Sequence, residues 1–93
     1  MIQNFGDGAT RSIFMTGSAA GVPEAIALKC SRALDIIDAA KRPVDARIAG
    51  RLHRLVKFSE DPLKFGASLG DKWWLTFTWD RHDAIDVKLE FRP

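Results

Sequence analysis

The last third of the chain alternates apolar and polar residues with a period of two. Between residues 73 and 79 the odd positions hold Trp, Leu, Phe and Trp. The next segment repeats the arrangement after a turn at residues 80–83, and its apolar residues are Ile85, Val87, Leu89 and Phe91. Strands that bury one face have this pattern. It predicts two antiparallel strands whose apolar faces are covered by helices.

Trp74 is the exception to this alternation, because it lies on the predicted polar face beside Thr76 and Thr78. A large aromatic side chain at such a position either packs against a neighbouring strand or another protein, or binds a ligand. If the ligand is RNA, the indole would stack on a nucleobase. The sequence leaves these interpretations open.

The clearest helix is predicted to begin at Pro23, since the missing N–H of a proline has no partner in the first turn anyway. Pro43 is predicted to end it, with Lys41 and Arg42 favouring the C-terminal end of the helix dipole. Its buried face, spaced by three and four residues, consists of Ala27, Cys30, Leu34 and Ile37, with Ala33 and Ala40 beside it. Cys30 is therefore predicted to be a core residue and not a nucleophile.

The remaining elements are shorter. Glycine supplies the positive φ that a tight turn at Gly70-Asp71 needs. The sequence thus predicts a single α+β domain, with an N-terminal strand and two helices packed on one face of a C-terminal antiparallel meander. The other predicted elements are a strand at residues 1–5, a helix at 9–15, a turn at 16–21, a strand at 51–58, a loop at 59–62 and a strand at 63–69.

Composition excludes several classes of protein. The 93 residues suit one domain. No run approaches the roughly 18 apolar residues of a membrane span, and the first residues lack the order of a secretory signal. Cys30 is the only cysteine, so no internal disulfide can form. We therefore expect a cytoplasmic protein with no membrane partner.

Neither a metal nor a cofactor is expected. No spacing among Cys30, His53 and His82 supports a pair of metal ligands. His82 lies between two aspartates in a predicted turn, where a surface role is expected. No glycine-rich phosphate loop of the dinucleotide or Walker type occurs.

Basic residues concentrate in the middle of the chain, although the net charge is only +2. Residues 41–57 contain six Lys or Arg side chains and His53, against a single acid, Asp45. Such a segment either binds phosphates or an acidic protein surface, or is a solvated loop and strand edge. The charge pattern alone does not decide between the two.

Five short motifs occur in an order and spacing that together resemble one family. They are residues 1–5 (MIQNF), residues 34–40 (LDIIDAA), Arg51-Leu52-His53, residues 73–77 (WWLTF) and Asp83-Ala84. They are similar, in turn, to the opening strand, the Leu-Asp-Ala-Ala type helix end, the Arg/Lys-Leu-His motif, the Trp-Arg-Ile-Thr-Phe strand and the start of the last strand of the plasmid-maintenance killer proteins. These proteins form the HigB-like branch of the RelE/ParE toxin superfamily. The resemblance implies a RelE-like toxin domain over residues 1–93.

Members of that family typically cut mRNA on the ribosome. The resemblance therefore implies the toxin of a type II toxin–antitoxin system, a metal-independent mRNA endonuclease that inhibits translation. Its implied partners are the ribosome, mRNA and a cognate antitoxin of the helix-turn-helix type.

Cleavage of RNA without a metal uses the 2′-OH as nucleophile and needs a base, an acid and cations near the phosphate. By the resemblance, His53 is the candidate general acid or base. Lys57 lies near the position of a family lysine, and Arg92 or Arg54 is expected to supply a phosphate-binding charge. The implied catalytic set is His53, Lys57 and Arg92. The implied RNA-binding set is Arg51, Arg54, Trp74 and Lys72.

Two features depart from the family pattern. Trp74 stands where the family has a phosphate-binding arginine, and the tail, residues 90–93, lacks the family's tyrosine and histidine. Two other functions therefore stay open. One is a catalytically inactive protein that keeps an antitoxin-binding surface, and the other is a toxin of the same fold that acts on gyrase.

Overall fold

The computed structural model describes residues 1–42, residues 64–93 and the backbone of residues 55–57. The described strands form one antiparallel sheet in which strands consecutive in sequence lie side by side, which confirms an α+β fold with a C-terminal meander. The predicted loop at residues 59–62 and most of the predicted strand at 51–58 lie outside the described residues. The elements are α1 (Gly8–Thr16), α2 (Glu24–Ala39), β1 (Leu55–Lys57), β2 (Lys64–Gly70), β3 (Trp73–Asp80) and β4 (Asp83–Phe91).

Both helices share one hydrophobic core with one face of the sheet. The predicted apolar face of α2 is confirmed, since all six of its residues are buried. The strands contribute Leu69, Leu75, Phe77 and Trp79, which are also buried. Cys30 lies in the middle of this core, and burial raises the pKa of its thiol to about 12. A thiol in that state is neutral near pH 7 and is a small core residue, as predicted.

The short helix α1 is capped at both ends. Asp7 accepts a hydrogen bond from the Thr10 N–H at 2.7 Å, which satisfies a donor of the first turn. Gly17 has a φ of 88° and donates its N–H to Ile13, as glycine does at the end of many helices. Thr10 is fully buried, and its hydroxyl accepts the Leu89 N–H at 2.7 Å. This bond attaches α1 to β4.

The prediction that α2 continues to Pro43 was wrong. The helix ends at Ala39, and Ala40 has extended backbone with φ −72° and ψ 140°. Its N–H still bonds to the carbonyls of Ile36 and Ile37, and its side chain is buried. The chain therefore leaves the helix where Ala40 packs into the core, so Lys41 and Arg42 lie beyond the last helical turn. Pro43 itself lies outside the described residues.

The strand β4 contains a β-bulge, and for this reason the predicted apolar face of the last strand was partly wrong. Thr78 pairs with Ile85 but Thr76 pairs with Lys88, so β4 has one extra residue there. Asp86, in this bulge, has a φ of 52°, a conformation that aspartate tolerates better than most residues. The extra residue reverses which side chains face the core. Ala84 is buried, whereas Ile85, which we predicted to share a face with Val87, is only partly buried.

The predicted strand at residues 1–5 is instead an extended segment joined to the edge of β4 by two isolated parallel bridges, Ile2 to Ala84 and Phe5 to Val87. The Gln3 and Gly6 amides donate to Ala84 and Val87, both at 2.8 Å. The bulge lies between the two bridges and interrupts a regular ladder.

The turn between β2 and β3 lies one residue later than predicted. Asp71 and Lys72 occupy it with φ of 51° and 67°, which is the backbone of a type I′ hairpin. Gly70, with φ 89°, is the last residue of β2, where the register with β3 shifts.

The bulge makes a testable prediction about Asp86. We expect Asp86→Gly to leave the free energy of unfolding unchanged or raise it by up to about 1 kcal/mol, because glycine adopts positive φ freely. Asp86→Val should lower it by about 1–2 kcal/mol, because a β-branched residue strongly disfavours this conformation. Urea unfolding of the two variants measures the difference. Equal effects of both substitutions would contradict a constraint on φ at this position.

Candidate functional site

The face of the sheet opposite the helices, here called the outer face, contains Trp74 as predicted. Trp74 pairs with Ser68 of β2 on one side and with Glu90 of β4 on the other. Thr76 pairs with Lys88, which continues the same face along the strands. The outer face therefore combines one large aromatic side chain with hydroxyl and charged groups.

Glu90 is the centre of the hydrogen bonds on this face. Its carboxylate accepts the Thr76 hydroxyl at 2.5 Å, and it lies 3.4 Å from a guanidinium nitrogen of Arg92. Thr76 is fully buried, so its hydroxyl is held in place. Burial alone would raise the pKa of Glu90, but the Thr76 hydrogen bond and the charges of Arg92 and Lys88 outweigh it and lower that pKa. Glu90 is therefore ionised at neutral pH and cannot act as a general acid there.

Three predicted site residues meet at one end of the sheet. The Arg92 N–H donates to the Lys72 carbonyl at 2.8 Å, which joins the tail to the β2–β3 turn. Trp74 lies two residues after Lys72 on β3. Arg92 and Lys72 are both exposed, so a phosphate can approach their charges from solvent. We call Lys72, Trp74 and Arg92, with Glu90, the outer-face cluster.

Lys29 is a neighbour of this end that the sequence did not indicate. It belongs to α2, and its ammonium lies 3.5 Å from the position that a Cβ on Gly70 would take. Helical spacing places Lys29 on the polar side of α2, but it does not show which turn of the sheet that side approaches. A third cation thus lies close to the β2–β3 turn.

The other predicted site residues are not all described. His53, Arg51 and Arg54 lie outside the described residues. Lys57 is in β1, where its backbone pairs with Phe65, whereas Arg92 follows the end of β4. Two strands lie between them, so at typical strand spacings their backbones are at least about 14 Å apart across the sheet. Lys57 and Arg92 are therefore not neighbours in the sheet.

The described residues, 1–42 and 64–93, contain neither a cluster of metal ligands nor a membrane-spanning helix. Among the described residues, no three His, Cys, Asp or Glu side chains lie close enough together to hold a metal ion. Within these ranges, no helix is long and apolar enough to cross a bilayer.

Comparison of the sequence with models of known protein families finds no match. Comparison with curated proteins likewise finds no significant match.

The low pKa of Glu90 makes a prediction about acid stability. A carboxyl whose folded pKa lies below its ordinary value of 4.5 stabilises the fold above that pH, and the contribution is lost as pH falls through the folded pKa. We therefore expect Glu90→Gln to flatten the fall in unfolding free energy on acidification. Urea unfolding from neutral pH downward measures this.

The control for that experiment is Asp71→Asn, which removes an exposed carboxylate from the neighbouring turn. Thr76→Val tests the cause, because loss of its hydroxyl should bring the pKa of Glu90 closer to the ordinary value. If the unfolding free energy of Glu90→Gln falls with pH in the same way as that of the wild type, these contacts do not stabilise the ionised form of Glu90.

Proposed function

We propose that this chain is the toxin of a type II toxin–antitoxin system, with a RelE-like fold, which cleaves mRNA on the ribosome until a cognate antitoxin neutralises it. The observation that supports this most is the outer-face cluster. A tryptophan on the polar face of a small meander, at the same end of the sheet as two exposed cations, matches the chemistry of single-stranded RNA. The motif resemblance and the α+β architecture agree with the same proposal.

Each part of the outer-face cluster has a role in binding RNA. Trp74 stacks on a nucleobase, which contributes about 1–3 kcal/mol per base. Arg92 and Lys72 bind the phosphates beside that base, and the guanidinium matches two phosphate oxygens at once. Glu90 holds the guanidinium of Arg92 in place through their ion pair. The family that this chain resembles has a phosphate-binding arginine at the position of Trp74. Here Trp74 contributes stacking on a base instead, and Arg92 supplies the positive charge of that arginine.

The cleavage step is assigned to residues of the basic segment. His53 takes the proton of the 2′-OH or gives one to the leaving 5′ oxygen, because an imidazole can accept or donate a proton near neutral pH. Cations stabilise the charge that develops on the phosphorane. We assign this role to Arg92, while Lys57, which is not its neighbour in the sheet, holds the RNA backbone together with Arg51 and Arg54.

A second candidate function is a non-catalytic module that binds the antitoxin but does not cut RNA. The position of Glu90 favours it. An ionised carboxylate in the middle of the outer face repels phosphate, and its ion pair with Arg92 neutralises part of the positive charge there. In that case Trp74 would pack against the antitoxin.

Induced expression in bacteria that lack the antitoxin distinguishes these functions. We expect growth arrest and new RNA 5′ ends inside translated messages, and we expect both to be lost on His53→Ala. Arrest without such ends would contradict RNA cleavage and would indicate another target, such as gyrase. Folded protein that causes no arrest would support the non-catalytic module.

Stacking by Trp74 is tested separately, by binding to a short single-stranded RNA in vitro. We expect Trp74→Ala to lose about 1–3 kcal/mol of binding free energy, which corresponds to about 5- to 150-fold weaker binding of the RNA. The matched control is Trp74→Phe, which keeps an aromatic face and should retain most of the affinity. If Trp74→Ala leaves RNA affinity and toxicity unchanged but weakens antitoxin binding, Trp74 does not stack on RNA.

A further inference from the structure

A groove lies between the N-terminal segment and α1, at the edge of the sheet and apart from the outer face. Its volume is about 500 Å³. It is lined by polar and charged side chains together with two large apolar ones. The lining residues are Gln3, Asn4, Phe5, Asp7, Arg11 and Met15, with Gly8 between them.

The backbone of Phe5 forms an open strand edge beside this groove. In the bridge to β4, Val87 donates its N–H to the Asn4 carbonyl and accepts the Gly6 N–H. In such a parallel bridge the N–H and C=O of the residue in between, Phe5, point away from the neighbouring strand. Among the described residues, none hydrogen-bonds to either group of Phe5.

At Ile2, in contrast to Phe5, the outward-pointing N–H of the strand edge has a hydrogen-bond partner among the described residues. The Ile2 N–H also points away from β4, and it donates to a carboxylate oxygen of Asp38 at 2.9 Å. The C-terminal end of α2 thus covers the edge at the first bridge but not at the second. An unpaired strand edge is a template for another extended chain. In an antiparallel pair, one residue of the added chain would exchange both hydrogen bonds with Phe5.

The side chains of the groove indicate what that chain would carry. Arg11 is exposed, and no ion pair to it exists within the described parts of the chain. Asp7 is only partly exposed, and its carboxylate accepts the Thr10 N–H as the cap of α1, so Arg11 is the charged group of the groove that is most open to an incoming chain. Met15 is 65% exposed, and it offers an apolar contact.

From these features we infer that the groove is a docking site for an extended segment of a partner protein. The segment adds as a short antiparallel strand beside Phe5, places a carboxylate against Arg11 and packs an apolar side chain on Met15. Backbone hydrogen bonds supply affinity in this mode of recognition, and the side-chain contacts supply specificity. The inference does not depend on RNA binding, since none of its residues belongs to the outer-face cluster.

The test uses the full chain and a phage-displayed library of random heptapeptides as the probe. We expect enriched peptides to contain Asp or Glu flanked by apolar residues. We expect Arg11→Glu to weaken their binding by about tenfold or more, because a charge-assisted hydrogen bond becomes a repulsion. The matched control is Arg32→Glu, the same charge reversal at an exposed arginine of α2, which should bind as the wild type does.

Amide hydrogen exchange of the unsubstituted protein gives a second readout. The Phe5 amide should exchange freely in the unbound chain and become protected when an enriched peptide is added. Absence of enriched sequences, equal binding to Arg11→Glu, or protection elsewhere than at Phe5 would overturn the inference. Concentration-dependent protection of Phe5 without peptide would mean that a second copy of the chain occupies the edge instead. We expect Arg11→Glu to be as toxic as the wild type. The docking inference and the proposed RNA cleavage can therefore be refuted independently of each other.

Discussion

The extra residue of β4 is the constraint on which much of this structure depends. Because Asp86 takes a left-handed backbone conformation, Ala84 and Val87 both face the helices although they are three positions apart in the strand. The N-terminal segment then pairs on either side of the bulge, and the Asp86 N–H is taken up by the Asn4 side chain at 2.6 Å. Gly6 passes so close that a Cβ there would lie 2.5 Å from a carboxylate oxygen of Asp86. The bulge therefore determines where the N-terminal segment leaves the sheet and where α1 begins.

The outer face depends on a different interaction, the short hydrogen bond from Thr76 to Glu90. A buried hydroxyl on β3 and a carboxylate on β4 join the two strands, and the carboxylate in turn holds Arg92. Charges and hydroxyls satisfy one another on this side of the sheet, whereas apolar side chains fill the other. One sheet thus has an apolar packing face and a polar face, and Trp74 belongs to the second.

Much of the fold follows from local patterns. The apolar face of α2 needs only helical periodicity, and the inward positions of Leu75, Phe77 and Trp79 need only alternation along a regular strand. The end of α2 could not be predicted in this way, because Ala40 leaves the helix to pack against residues distant in sequence. Ile85 was assigned to the wrong face because alternation assumes a strand without a bulge.

For the candidate site, the sequence by itself determined that Trp74 lies on the polar face and that Cys30 is buried in the core, since both depend on the period of one element. Only the tertiary structure decided that Lys72 meets Arg92, that Lys29 approaches the same turn, and that two strands lie between the strand of Lys57 and the strand that Arg92 follows. It also decided that Asp38 covers the edge at Ile2 while Phe5 stays open. These are contacts between distant parts of the chain, set by strand order, register and the bulge, and no local pattern of residues encodes them.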